Sequence, residues 1–210
     1  MLKYRKKMNR GDTLIEVLFA ISVFSFVAVS SLSIMNQGSA TAQRSLEITQ
    51  VRQQIDAQAE ALRFLNSSYI AAYQSGFVPS AGTPAAEWLS VANTYATSNP
   101  VSSFGNINTC PSASSSLRPL SFAINTETGK VVPLNASNFR MPSTYSKVNY
   151  DASRAVSSVE GIWVEAIKAS SSGQVNADYI DFNIRACWDS PGQSVPETLG
   201  TIVRLYEPRG

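Results

Sequence analysis

The sequence predicts an α+β fold in which a long N-terminal helix packs on a C-terminal antiparallel β-sheet. Residues 14–35 are almost entirely apolar, and apolar side chains recur at three- and four-residue steps over residues 48–73. Beyond residue 120, apolar and polar residues alternate in short segments separated by turn-forming residues, which is typical of strands. We therefore expect a helix that is first transmembrane and then amphipathic, followed by a sheet.

Composition narrows the possible functions. The chain has 210 residues, of which 15% are charged, and it contains no histidine. Catalysis of the Ser-His-Asp or Cys-His type is therefore excluded, and the commonest transition-metal ligand is missing. The basic residues at the N-terminus leave the remaining chain slightly acidic, without the basic stripe that would indicate a nucleic-acid partner. These N-terminal residues are Lys3, Arg5, Lys6, Lys7 and Arg10.

The apolar segment 14–35 is long enough to cross a membrane once. As a helix rising about 1.5 Å per residue it spans about 33 Å, against about 30 Å for the hydrocarbon core. The basic cluster before it places the N-terminus in the cytoplasm and the rest outside. The alternative is a cleaved secretory signal, because Ala40-Thr41-Ala42 has the small-residue pattern of a cleavage site. The apolar segment is longer than such signals require.

A short motif separates the basic cluster from the apolar segment. Gly11 is followed by Asp12 and then by Thr-Leu-Ile-Glu at 13–16. This stretch resembles the processing signal of type IV pilins and type II secretion pseudopilins. The resemblance implies a leader of residues 1–11, recognised through Lys6, Lys7 and Arg10, and cleavage between Gly11 and Asp12 by a membrane prepilin peptidase.

The resemblance also implies methylation of the new N-terminal amine, but Asp12 replaces the apolar residue that this family usually has at that position. It further implies a pilin-like fold, polymerisation through the N-terminal helix, and a move from the cytoplasmic membrane to a surface or envelope filament.

Glu16 is a carboxylate at the start of a helix that otherwise suits lipid. Burying such a charge in a bilayer costs about 3 kcal/mol or more, so it is expected to find a cation. In the family that it resembles, the cation is the free amine that cleavage creates on a neighbouring subunit. The alternative is a side chain that reaches back to the lipid headgroups. We predict that Glu16 acts in assembly.

The helix is expected to run from Asp12 to about Tyr73, since no proline interrupts it. The predicted organisation is a leader (1–11), the helix (12–75) and an extracytoplasmic globular region (76–210). The apolar stripe is expected to pack against the protein's own sheet. It comprises Ile48, Val51, Ile55, Ala59, Leu62, Leu65 or Asn66, Tyr69 and Tyr73.

The frequent Gly and Pro residues within residues 75–116 predict a loop-rich connector. Within it, Thr83 and Pro84 predict the start of a short helix that ends near Ala96. The strands follow: a hairpin around residues 125–129, and then an antiparallel meander. The expected meander strands are 162–167, 180–188 and 201–206.

Cys110 and Cys187 lack the close spacing of a zinc or redox pair. Outside the cytoplasm they are expected to form one structural disulfide, the alternative being two unrelated buried thiols. Many pilins instead close a loop near the C-terminus, so this connectivity departs from the pattern that the resemblance implies.

The sequence offers no catalytic, cofactor or metal motif. It contains no phosphate loop, dinucleotide fingerprint or calcium loop, and Asp178 and Asp181, three residues apart on a strand, are expected on opposite faces. We expect a structural subunit that is not an enzyme and takes no cofactor or small-molecule substrate. The stretch Gly-Asp-Thr-Leu-Ile-Glu-Val-Leu-Phe-Ala-Ile at 11–21, followed by a large Ser-rich C-terminal region, resembles PilV-type minor pilins more than a major pilin. The alternatives are a secretion pseudopilin and a signal-anchored receptor or enzyme.

Overall fold

The computed structural model describes residues 12–74, 78–98, 110–111, 120–168 and 179–208. The chain divides into two compact units, Met1–Gln43 and Arg44–Gly210, and we call the latter the second unit. The predicted leader lies outside the described residues, as does Asp178. A long N-terminal helix followed by a mainly antiparallel sheet confirms the predicted α+β class.

Helix α1 spans Asp12–Ala72, close to the predicted bounds, and continues through Gly38. In the second unit, one face of α1 is buried against the sheet, as the apolar stripe predicts. Val51, Leu62 and Leu65 are fully buried there, and Ile48 and Tyr69 pack at the margin of the same core. Because helix and sheet share one core, most of the stabilisation of this part of α1 comes from packing.

A short helix, α2 (Pro84–Ser90), begins where the sequence predicts. The Thr83 hydroxyl accepts a hydrogen bond from the Ala86 N–H at 3.3 Å, which caps the helix. α2 ends before the predicted Ala96, because a π-helical turn (Val91–Tyr95) and strand β1 (Ala96–Thr97) follow it. Trp88 of α2 is fully buried in the core.

The main sheet has the order β3-β2-β7-β8-β9, with β1 parallel to β7. The predicted hairpin is formed by β2 (Phe122–Ile124) and β3 (Val131–Pro133). The predicted meander is also present, and its last strand begins earlier than expected. It consists of β7 (Ile162–Lys168), β8 (Tyr179–Trp188) and β9 (Glu197–Tyr206).

A second sheet of three strands was not predicted. Its order is β4-β6-β5, formed by β4 (Phe139–Arg140), β5 (Lys147–Tyr150) and β6 (Val156–Glu160). Phe139 meets Trp163 of the main sheet edge to face, with ring centroids 6.4 Å apart. This small sheet therefore covers part of the face of the main sheet that α1 leaves open.

The predicted pairing of Cys110 with Cys187 agrees with the structure, in which a disulfide joins Cα atoms 5.5 Å apart. Both residues are buried, and the bond closes a loop of 77 residues. On the chain-entropy model a loop of this size contributes about 4–5 kcal/mol to stability. The disulfide ties the connector to β8.

Candidate membrane-spanning and assembly segment

The first part of α1 is apolar around its whole circumference. The helix contains a window of mean hydropathy 2.3, none of it buried, and it is the one helix among the described residues that is long and apolar enough to cross a membrane. Phe24 and Phe26 are 74% and 78% exposed. An exposed apolar surface of this size suits lipid or the apolar surface of other helices.

Three of the five serines within this segment bond to their own helix. The hydroxyls of Ser22, Ser25 and Ser31 each donate to the carbonyl four residues earlier, at 2.8 Å. Each hydroxyl is thereby satisfied inside the helix, as an apolar surrounding requires.

The predicted site residues are distributed as follows. Gly11, Lys6, Lys7 and Arg10 lie outside the described residues, and Asp12 begins α1. Glu16 is exposed, and no ion pair joins it to another described residue. The described residues therefore provide no charged partner for its carboxylate.

Four polar side chains on the buried face of α1 fix the helix on the sheets, and three of them were not predicted. Gln58, only 1% exposed, donates to the Ile124 carbonyl at 2.8 Å and accepts from the Ile124 N–H at 2.7 Å. Its amide therefore completes the backbone hydrogen bonding of β2, as a neighbouring strand would. The others are Glu47, Gln54 and Asn66, of which Asn66 had been named only as an alternative to Leu65 in the stripe.

Glu47 is a buried carboxylate held by neutral donors. Its Oε2 accepts from the Ser190 hydroxyl at 2.7 Å and from the Trp188 indole N–H at 3.2 Å. One turn earlier, Arg44 binds Glu197 of β9 at 2.6 Å. These contacts tie the start of the α1 stripe to β8 and β9.

The other end of the stripe is tied to the last strand. The Asn66 side-chain amide donates to the Tyr206 carbonyl at 3.1 Å, and Gln54 accepts from the Val148 N–H at 3.3 Å on the smaller sheet. Burial and the neighbouring Tyr73 raise the pKa of Tyr69. The polar contacts are directional, so they allow one axial register of α1 on the sheets.

We expect Gln58→Leu to destabilise the second unit by about 2–4 kcal/mol, because two buried backbone groups of Ile124 lose their partner. Gln53→Leu is the matched control, since Gln53 is exposed on the same helix and the substitution is identical. Urea unfolding of the purified full-length chain, followed by tryptophan fluorescence, measures both. Equal stability of the two variants would contradict the proposed role of Gln58.

Comparison with known proteins gives no match, whether to family models, to curated proteins or to solved structures. Within the described part of the chain, no group of three or more His, Cys, Asp or Glu residues could hold a metal ion. The functional assignment therefore depends on the residues and on their geometry.

Proposed function

We propose that this chain is a structural subunit, of the minor pilin type, of a type IV pilus-like envelope filament. The observation that carries the proposal is the apolar segment 14–35, which no described part of the chain covers. Such a helix suits lipid before assembly and the apolar helices of other subunits afterwards. In the membrane the chain would cross once, with its N-terminus in the cytoplasm.

The form of the second unit supports the same proposal. The helix that carries the apolar segment continues without a break to Ala72, and in the second unit its stripe lies against the sheet. Directional contacts from Gln58 and Asn66 fix this part of α1 against sliding. A subunit polymerised through one end of a helix needs the other end fixed in this way.

The proposed partners are the membrane, a prepilin peptidase and other pilin subunits. The peptidase would cut between Gly11 and Asp12, after recognising the leader through Lys6, Lys7 and Arg10. Glycine at the scissile bond opposes backward extension of α1, so the chain can enter a protease cleft in an extended form.

Gly11→Glu should block this cleavage, since a charged side chain then occupies the residue before the scissile bond. We expect cleavage to slow by at least about tenfold, which corresponds to about 1.4 kcal/mol in activation free energy, so that most of the chain remains at full length in the membrane. Immunoblotting of membranes from cells that contain the peptidase measures the ratio of the two forms. Gly11→Ala is the control and should still be cleaved. Processing of Gly11→Glu at the same bond would contradict the proposal.

A further inference from the structure

β9 is an edge strand of the main sheet, and the hydrogen bonding of its neighbour shows which of its backbone groups face outward. The Cys187 N–H donates to the Gly161 carbonyl at 2.8 Å, on the β7 side of β8. Alternate residues of a strand direct their N–H and C=O groups to opposite sides. Ala186 therefore faces β9, where it pairs with Leu199. It follows that odd-numbered residues of β9 bond to β8, and even-numbered residues face away from the sheet.

Thr198, Gly200 and Ile202 accordingly form an outward row of backbone groups, which we call the free edge. Among the described residues, none forms a hydrogen bond to the N–H or C=O groups of the free edge. The alternation is supported at the end of the strand, where the carbonyl of Tyr206 faces outward and accepts from Asn66. The free edge is thus an open template for another strand.

The free edge lacks the usual protection against pairing. Natural edge strands carry charges, prolines or bulges that discourage it, but residues 198–202 have no charged residue and no proline. Ile202 is 67% exposed. Protective features lie only at the two ends, Pro196 before the free edge and Arg204 after it. Arg204 is held on its own sheet by Asp181, with N–O distances of 2.7 and 2.8 Å.

Gly200 creates a depression at the centre of the free edge, beside the exposed Ile202. The depression has a volume of about 490 Å³ and is lined by residues of β8 and β9, including Asn183 and Thr198. A Cβ atom at Gly200 would lie 3.1 Å from the Ile184 carbonyl, so the position suits glycine. The strand therefore presents an apolar side chain and a recess two residues apart.

We propose that β9 pairs antiparallel with β9 of a second copy of this chain, with the two Gly200 residues facing each other. In this register Thr198 lies opposite Ile202 of the second copy, and Pro196 lies opposite Arg204. The three residue pairs of the free edge exchange about six hydrogen bonds. The side chain of each Ile202 lies diagonally across the strand pair from Gly200 of the other copy and points towards its recess. No two residues of like charge lie opposite each other in this register.

We infer that the partner is a second copy because β9 is complementary to itself. One strand supplies both the apolar side chain and the recess, and a two-fold axis places each apolar side chain next to the recess of the other copy. The inference does not depend on the proposed filament function. It concerns a contact between the globular parts of two chains.

Cysteine cross-linking of the full-length chain in its membrane tests the register. Thr198→Cys and Ile202→Cys are made singly, each with a different epitope tag. Because Cys110 and Cys187 are bonded to each other, the introduced residue provides the free thiol. In the proposed register Cα atoms of residues 198 and 202 on opposing copies lie about 5.5 Å apart, within disulfide reach. Two copies of residue 198 are separated by about 13 Å.

Co-expression of the two variants, followed by oxidation with diamide, should give a disulfide dimer that carries both tags. Each variant alone should give at least about tenfold less dimer, since identical positions are out of disulfide reach. Absence of the mixed dimer would overturn the proposal, and so would equal dimer yields from the single variants, which would indicate random collisions. A thiol captured mainly by a different protein would show that another strand occupies the free edge.

Discussion

Gly161→Ala should destabilise the second unit by about 3–5 kcal/mol, a large share of the stability of a typical domain. Gly161 has a φ of +62°, a conformation that costs an L residue about 1–3 kcal/mol. In addition, the new Cβ would overlap the Cys187 carbonyl, the Ser146 hydroxyl and the Pro142 ring. The overlap cannot be relieved cheaply, because the buried Ser146 hydroxyl bridges the carbonyls of Gly161 and Cys187.

Gly192→Ala is the matched control for this prediction. Gly192 has a φ of +79°, but nothing lies within 4 Å of the Cβ that the substitution adds. Gly192→Ala should therefore lose only the stability that the positive φ costs an L residue, about 1–2 kcal/mol. Urea unfolding of the full-length proteins, followed by tryptophan fluorescence, separates the two contributions. Equal losses of unfolding free energy for the two variants would show that the close packing of Gly161 against β8 does not contribute to the stability of the second unit.

Glu16→Ala should reduce incorporation into filaments by about a hundredfold or more, while membrane insertion and cleavage after Gly11 stay normal. In the membrane the carboxylate of the monomer can reach the cytoplasmic interface, so its loss costs the monomer little. Among packed apolar helices the same carboxylate needs a cation, and the amine of Asp12 on an adjacent subunit is the proposed partner. Removing one member of a buried pair costs about 3–5 kcal/mol. The carboxylate of Asp12 competes for the amine, so we expect the effect at the lower end of that range.

Two control variants identify the source of the Glu16 effect. Glu16→Gln keeps the size of the side chain and removes its charge, so it should fail like Glu16→Ala if the charge sets the register. Ser25→Ala removes a hydroxyl that bonds only to its own helix among the described residues, and it should be incorporated normally. Quantitative immunoblots of sheared filaments and of membranes measure all three variants. Normal incorporation of Glu16→Ala would show that the carboxylate only reaches the lipid headgroups.

The parts of the fold that sequence patterns predicted are those with a clear period. The stripe of α1 recurs at helical steps, β8 alternates apolar and polar residues, and the turn-forming residues 125–129 mark the hairpin of β2 and β3. The smaller sheet escaped prediction because β5 and β6 are short and carry Asn149, Ser157 and Ser158 among their apolar residues. Asn149 donates to both Ser158 and Glu160, so polar pairs replace the alternation that would have marked a strand.

The polar contacts of α1 could not be predicted from the sequence for a different reason. Gln58 is 66 residues from Ile124, and nothing local shows that its amide will complete a strand. Glu47 would ordinarily be assigned to the solvent face, because a carboxylate is rarely buried. For the assembly segment the sequence predicted the apolar helix and placed Glu16 at its start. The proposed partner of Glu16 lies on another subunit, so the structure of one folded chain does not include it.

Mass spectrometry of the chain recovered from sheared surface filaments tests whether it is processed at Gly11 and then assembled. We expect a chain that begins at Asp12, with Cys110 and Cys187 still joined in a single cross-linked peptide after non-reducing digestion. A chain that begins at Met1 or at Gln43, or its absence from the filament fraction while it is present in membranes, would overturn the proposed function.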